Sequence, residues 1–313
     1  MNHFKKIIPA LLLFCAIAPS HAVTFVYNLR IRRVFTIAAL LERMKSRWIA
    51  TAVPIFSTRS SHLTNTATQL DVREKRRAGG SLVNLQYIAS KHVWFEATTA
   101  IETDHATFTG TDPFHASRTG IDDIVFSGGY RHFLGKKIQL VGYGLAGFPT
   151  RRKIDQTDRY TPLVGTRFFN IGVGGEISYS LFSELKRSLA LITQIRLIHG
   201  FNRSWYPILP KGSEIQPGNV TDLLLSTQYR KRRTIFEGGY NGTFFTNQAL
   251  LLTTGTVKAD TAIRHTGYAG VSHAIFNGLF NKTCIIGTGL SVSYAHKTDS
   301  KTVTTWISGS IVF

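Results

Sequence analysis

The sequence predicts a closed antiparallel transmembrane β-barrel of about twelve strands. Three observations carry this: an export signal at the N-terminus, no apolar run long enough for a membrane helix after it, and a two-residue alternation that recurs from residue 47 to the end.

The export signal comes first. Lys5 and Lys6 open the chain, an apolar run follows from Ile7 to Ala18, and Ser20-His21-Ala22 offers small residues for cleavage after Ala22. This pattern describes a secretory signal peptide over 1–22. Phe14 before Cys15 is too large for lipoprotein processing, so lipidation is not expected. With the peptide gone, Cys284 is the only thiol left, and disulfides play no part.

Charge narrows the partners. The chain has 37 Lys and Arg against 18 Asp and Glu; losing Lys5 and Lys6 leaves 35 against 18, a net charge of +17. An exported chain with no basic helix or aromatic stacking module is not expected to bind nucleic acid. Lipopolysaccharide phosphates, anionic headgroups or an anionic solute suit the charge better. Basic residues cluster at Arg73, Lys75, Arg76 and Arg77, at Arg151, Arg152 and Lys153, and from Arg230 to Arg233. Such runs are expected in solvated loops and turns, and the first could also clamp lipopolysaccharide phosphates.

The alternation is clearest from Phe169. Phe169, Ile171, Val173, Ile177, Tyr179 and Leu181 share one parity; Asn170, Gly172, Gly174, Glu176, Ser178 and Ser180 share the other. One face suits lipid and the other a polar interior. Similar segments place strands near 47–57, 81–89, 92–101, 122–133, 137–148, 167–180, 188–200, 220–230, 233–245, 261–276, 283–296 and 302–313. Long connections are expected at 58–80, 102–121, 149–166, 201–219 and 246–260, with tight turns between them. This matches long outer loops and short periplasmic turns, and only the last hairpin, Lys297 to Lys301, breaks the long set. A soluble β-sandwich has no reason to alternate loop lengths so.

Residues 23–46 form a separate periplasmic or plug segment ahead of the barrel at 47–313. There, Ile37, Leu40, Leu41 and Met44 have the spacing of a short amphipathic helix, although a plain linker accounts for them equally well.

The last strand alternates Val303, Thr305, Ile307, Gly309, Ile311 and Phe313 with Thr304, Trp306, Ser308, Ser310 and Val312. Ending on Phe313, it resembles the C-terminal signal that the outer-membrane assembly machinery reads in bacterial barrels. A second resemblance lies at Gly120-Ile121-Asp122-Asp123-Ile124-Val125-Phe126 and Gly129-Tyr130-Arg131-His132-Phe133. It is similar to a Gly-x-Gly-Asp strand with a Tyr-Arg ending in outer-membrane transporters of aromatic-hydrocarbon (phenol meta-cleavage) pathways, with Asp122 at the second Gly. That resemblance implies a transport barrel for small, hydrophobic compounds.

Other motifs point away from chemistry. Gly142-Tyr143-Gly144-Leu145-Ala146-Gly147 has dinucleotide-fingerprint spacing, but Phe148-Pro149 is a poor helix opening. Ser272 and His273 are adjacent on a predicted strand and therefore face apart, while Ser183 and Lys186 lie in a predicted turn without an aligning helix. No His-Glu-x-x-His or Gly-x-Ser-x-Gly occurs. No catalytic residue, metal or cofactor is expected.

The parity turns Glu96, Asp123, Arg131, Glu176, Arg196, Asp222, Arg230 and Glu237 inward. They are the candidates for a charge-lined path; a salt-bridged interior that only holds the barrel together is the alternative for each. Trp48, Tyr179 and Tyr294 suit interfacial girdles. The function expected is a passive outer-membrane channel or transporter for small solutes, hydrophobic or anionic. A structural or surface-interaction barrel is the second reading and a barrel hydrolase the third.

Overall fold

A computed structural model describes residues 48–312, apart from the segments 66–69, 111–112, 151–167, 185, 205–210, 254, 259–260, 276–282 and 296–299. The expected signal peptide, the 23–46 segment, the Arg151 to Lys153 cluster and Phe313 lie outside the described residues.

The wall begins with three long strands, β1 (Trp48–Asn65), β2 (Leu70–Ile88) and β3 (Val93–Gly110). Next come β4 (Phe114–Ile121), β5 (Ile124–Leu134), β6 (Ile138–Phe148), β7 (Asn170–Ser183) and β8 (Arg187–Gly200). After the short β9 (Arg203–Ser204) and β10 (Glu214–Gln216) follow β11 (Asn219–Lys231) and β12 (Thr234–Thr246). After β13 (Ala249–Leu252) and β14 (Gly255–Lys258) the chain ends on β15 (Ala262–Ile275), β16 (Thr283–Ala295) and β17 (Ser300–Val312).

Neighbours in the wall pair antiparallel, and β1 pairs with β17 from Ile49↔Val312 to Ser60↔Lys301, which closes the ring. Both β4 and β5 pair with β3, so they are two pieces of one wall strand, and the ring has twelve. Closure leaves no open edge around the ring at mid-height, the condition for crossing a bilayer with strands. The outward face carries large apolar side chains in the open: Phe56 is 61% exposed, Val173 60% and Ile307 60%. A belt of such residues around a closed sheet fits lipid. Trp48, Tyr179 and Tyr294 also face outward, as girdle residues would.

The structure corrects the expected connections. Residues 58–80 and 102–121 are mostly strand, not loop: β1 and β2 pair continuously from Trp48↔Tyr87 to Asn65↔Leu70, and β3 pairs with β4 from Ile101↔Ile121 to Phe108↔Phe114. The basic cluster from Arg73 to Arg77 is therefore part of β2 and not a solvated loop. The expected strand 122–133 is really the end of a longer one, broken at Asp122-Asp123. Between paired positions Thr98↔Val125 and Ile101↔Ile121, β3 has two residues and its partner has three, a β-bulge. The connections at 201–219 and 246–260 contain a second sheet, in the order β14-β13-β10-β9, which forms a small crown at the loop end.

The tight turns expected at Ser90-Lys91, Leu134 to Lys136 and Lys231-Arg232 join their strands, and the one at Asn277 to Lys282 lies outside the described residues. Gly135 (φ 65°) and Arg232 (φ 55°) take left-handed backbone in the β5–β6 and β11–β12 hairpins, and the Arg232 amide donates to the Lys186 carbonyl at 2.6 Å. Gly142 and Gly144 sit on the outward face of β6, and the strand runs to Phe148 without turning into a helix.

Candidate functional site: the barrel lumen

With the outer face given to lipid, alternation sends every second side chain into the lumen. Nine described carboxylates point inward: Glu74, Glu96, Glu102, Asp104, Asp122, Asp123, Glu176, Asp222 and Glu237. So do seven guanidinium groups, on Arg59, Arg76, Arg118, Arg131, Arg196, Arg230 and Arg264, and among the described wall residues no lysine does. Among the described residues, inward carboxylates thus outnumber inward guanidinium groups, in a strongly basic chain.

The charges are organised by strand register. On the β7–β8–β11–β12 wall, Arg196 Nε donates to Asp222 Oδ2 at 3.0 Å, its NH2 group forms a second, shorter contact with the same oxygen, and Thr243 donates to Asp222 Oδ1 at 2.7 Å. Cross-strand pairing explains the contact, since Asp222 lies opposite Arg196 on one side and Thr243 on the other. One step along, Gln194 donates to the Tyr143 hydroxyl, with Glu176 paired opposite Gln194. The Tyr143 ring lies over Gly174, where a Cβ would stand 2.2 Å from Cζ, so only glycine makes room there.

Nearer the loop end, on β1–β3, Arg76 Nε donates to Asp104 Oδ1 at 2.8 Å. Arg59 stands 3.3 Å from Glu74, which also accepts from Ser61 at 2.8 Å. These groups were missed because their segments read as loops. In the strand, Arg73, Glu74, Lys75, Arg76 and Arg77 change face at each step, but a run of charges on both faces leaves no apolar alternation to read.

Among these polar side chains lies an apolar cluster. Val53, Ile55, Leu82, Ala100, Leu224, Tyr268 and Trp306 form one buried cluster. Leu82 on β2 and Leu224 on β11 are six strands apart in a ring of twelve, on opposite walls, so the cluster crosses the lumen as a septum. Trp306 is its largest member, 2% exposed, and rests over Gly289, whose absent Cβ would stand 2.1 Å from Cζ2. Tyr268 belongs to the septum by its ring and donates from its hydroxyl to Glu237 at 3.0 Å.

Of the eight residues expected to line a path, the structure brings Arg196 and Asp222 into direct contact. Glu176 is their neighbour through Gln194 and Tyr143. Glu96 accepts from Thr98 at 2.9 Å, and Thr98 in turn accepts from Asn84 at 2.9 Å. Glu237 holds Tyr268. Arg131 stands at the turn end, donating twice to the Lys91 carbonyl at 3.0 and 2.7 Å, and half-buried Arg230 sits near the same end, 3.4 Å from the Glu184 carbonyl. Asp123 is buried as expected, but so is its neighbour Asp122. Two adjacent residues of a regular strand cannot share a face; the bulge supplies the extra residue that switches parity. Two consecutive acids in a membrane-level strand were the available signal.

The serine, histidine and lysine pairs that the sequence offers do not come together among the described residues. Ser272 is buried and His273 exposed on the opposite face, Ser183 and Lys186 are exposed at a turn, and no group of three metal-ligating side chains occurs among the described residues.

No family model matches the sequence, and no curated protein does. Solved structures do. The fold is similar to the COG4313 outer membrane channel from Pseudomonas putida F1, with a TM-score of 0.63 and 12% identity over 86% of this chain and 96% of that one. It is similar to the transport unit of the autotransporter AIDA-I from Escherichia coli, with a TM-score of 0.50 and 10% identity over 87% and 92%. The Ralstonia pickettii toluene transporter TbuX aligns over 86% and 90% at 9% identity with a TM-score of 0.45. The closed ring, its greasy outer belt and its polar interior make this chain an outer-membrane β-barrel.

Proposed function

We propose that the barrel is a passive outer-membrane channel for small solutes with a substantial apolar body. The observation that carries this is the septum. A water-filled pore for ions or sugars needs a continuous polar path, whereas Trp306, Tyr268, Leu82 and Leu224 present apolar surface across the middle of the lumen. A small apolar molecule can replace side-chain contacts there without losing hydration, while an ion would have to shed its water shell. The inward charges that flank the septum at either side, Arg196 and Asp222 among them, are the polar stations of the route. Their slight acidic excess disfavours an anionic solute. The fold likeness to an outer membrane channel supports the same reading.

The chain works by binding and diffusion, not by covalent chemistry. β17, apolar outward and hydroxylated inward, is the strand offered to the outer-membrane assembly machinery. Permeation into proteoliposomes tests the proposal. A monoaromatic hydrocarbon is expected to enter protein-containing vesicles at least several times faster than protein-free ones, while a disaccharide enters no faster. Equal acceleration of both solutes, or of neither, overturns it.

A further inference from the structure

The chain's positive charge is not spent on the lumen, where carboxylates outnumber guanidinium groups. Four cations, Arg73, Lys75, Arg77 and Lys301, lie together on the outer face of one part of the wall. Beyond Phe56, Val83 and Ile101, where the apolar belt ends, β1 to β3 continue toward the loop end and their outward chemistry changes. β2 there presents Arg77, Lys75 and Arg73, all exposed. The register sets them in rows with hydroxyls and imidazoles: Lys301, Ser60, Lys75, Thr107 and His115 in one, Thr58, Arg77, His105 and Ser117 in the next.

The alternate residues of the same strands, Glu74, Glu102 and Asp104, point inward with Arg76 and Arg59, so the acids described on this stretch face the lumen. No described side chain on this outer stretch is acidic. Successive cations on β2 are ~7 Å apart, and Lys301 lies ~10 Å from Lys75 across β1. That spacing lets several of them reach the phosphates of one headgroup. A rigid sheet also holds them in place, unlike cations on a loop.

Resting on the outer-membrane placement, we propose that this wall, centred on Arg73, Lys75, Arg77 and Lys301, binds the phosphorylated headgroup of lipopolysaccharide in the outer leaflet. The site lies directly above the lipid-facing belt, at headgroup level. It offers charge-assisted hydrogen bonds from ammonium and guanidinium groups, plus neutral donors from threonine and serine, to phosphate and sugar oxygens.

Native mass spectrometry of the purified full-length barrel tests this, with bisphosphorylated lipid A as probe and phosphatidylglycerol and monophosphorylated lipid A as comparators. The variant Arg73→Gln/Lys75→Gln/Arg77→Gln alters only outward side chains; heat-modifiable gel mobility verifies that it folds. Lys136→Gln/Lys137→Gln, at the opposite mouth, is the control. Binding of bisphosphorylated lipid A is expected to fall at least tenfold in the triple variant and less than twofold in the control, with the monophosphorylated form weaker than the parent on wild type. Undiminished binding in the triple variant, an equal loss in the control, or phosphatidylglycerol binding as tightly as lipid A overturns the proposal. Solute flux in vesicles free of lipopolysaccharide is expected to be the same for wild type and triple variant. A wild type without flux therefore counts against the channel alone and leaves the lipid site standing.

Discussion

The two sides of the ring solve the same problem at different heights. Strands β1, β2 and β3 run 18, 19 and 18 residues, whereas β6, β7, β8, β11 and β12 run 11 to 14. About ten tilted residues suffice to cross the apolar core, so the short side stops soon after lipid does and hands over to the crown of β9, β10, β13 and β14. The tall side continues. What keeps it a sheet beyond the membrane is its interior: Arg76 with Asp104, and Arg59 with Glu74 and Ser61, repeat above the belt the inward pairing that Arg196 and Asp222 make on the short side. Strand length in this barrel follows the inner face, while the outer face changes from apolar to cationic without disturbing the ladder.

If that is right, breaking a pair on the short side costs more than breaking its counterpart on the tall side. Asp222→Ala leaves the Arg196 guanidinium buried in the central wall, and a loss of about 3–5 kcal/mol is expected. Urea unfolding in lipid vesicles, followed by tryptophan fluorescence, measures it. Asp104→Ala likewise takes a carboxylate from buried Arg76, but Glu74 and Glu102 stay near it and a protruding hairpin can open locally to water while the ring stays shut. There the expected loss is about 2 kcal/mol, with hydrogen exchange rising in β2 and β3 above the belt and not below it. A larger loss for Asp104→Ala than for Asp222→Ala would show that the tall hairpins hold the ring together.

The septum joins the two sides, so it sharpens the comparison. Gly289→Ala drives a methyl into the Trp306 ring, whose neighbours leave it little room to yield; about 1–3 kcal/mol is expected from overpacking, together with a shift in tryptophan emission. Tyr268→Phe keeps the ring and removes the bond to Glu237, for about 1 kcal/mol in the same unfolding assay. A null effect for Gly289→Ala would mean that Trp306 does not lie against β16.

Much of this was legible in the sequence, and the missing parts have physical reasons. Alternation identified β7, β8, β11, β12, β16 and β17 and turned Glu176, Arg196, Asp222 and Glu237 to the correct face, because lipid imposes an apolar outer parity. The upper halves of β1 to β3 lacked that imprint: Arg73, Lys75, Arg77 and His105 face outward there, and an apolar period of two disappears even though the strand does not. The partnership of Arg196 with Asp222 needed register, which parity does not supply. Trp306 was on the inner parity, but nothing in one strand tells that its ring meets side chains from across the barrel. Asp122 was hidden by the bulge, which changes parity within a single strand.

The measurement that bears most directly on the channel is planar-bilayer conductance and disaccharide permeation of wild type beside Trp306→Ala. A wild type with little ion conductance and no disaccharide passage, and a folded Trp306→Ala variant in which both rise at least severalfold, is the predicted result. A wild type already open to ions and disaccharide, unchanged when Trp306 is cut to alanine, would contradict the septum.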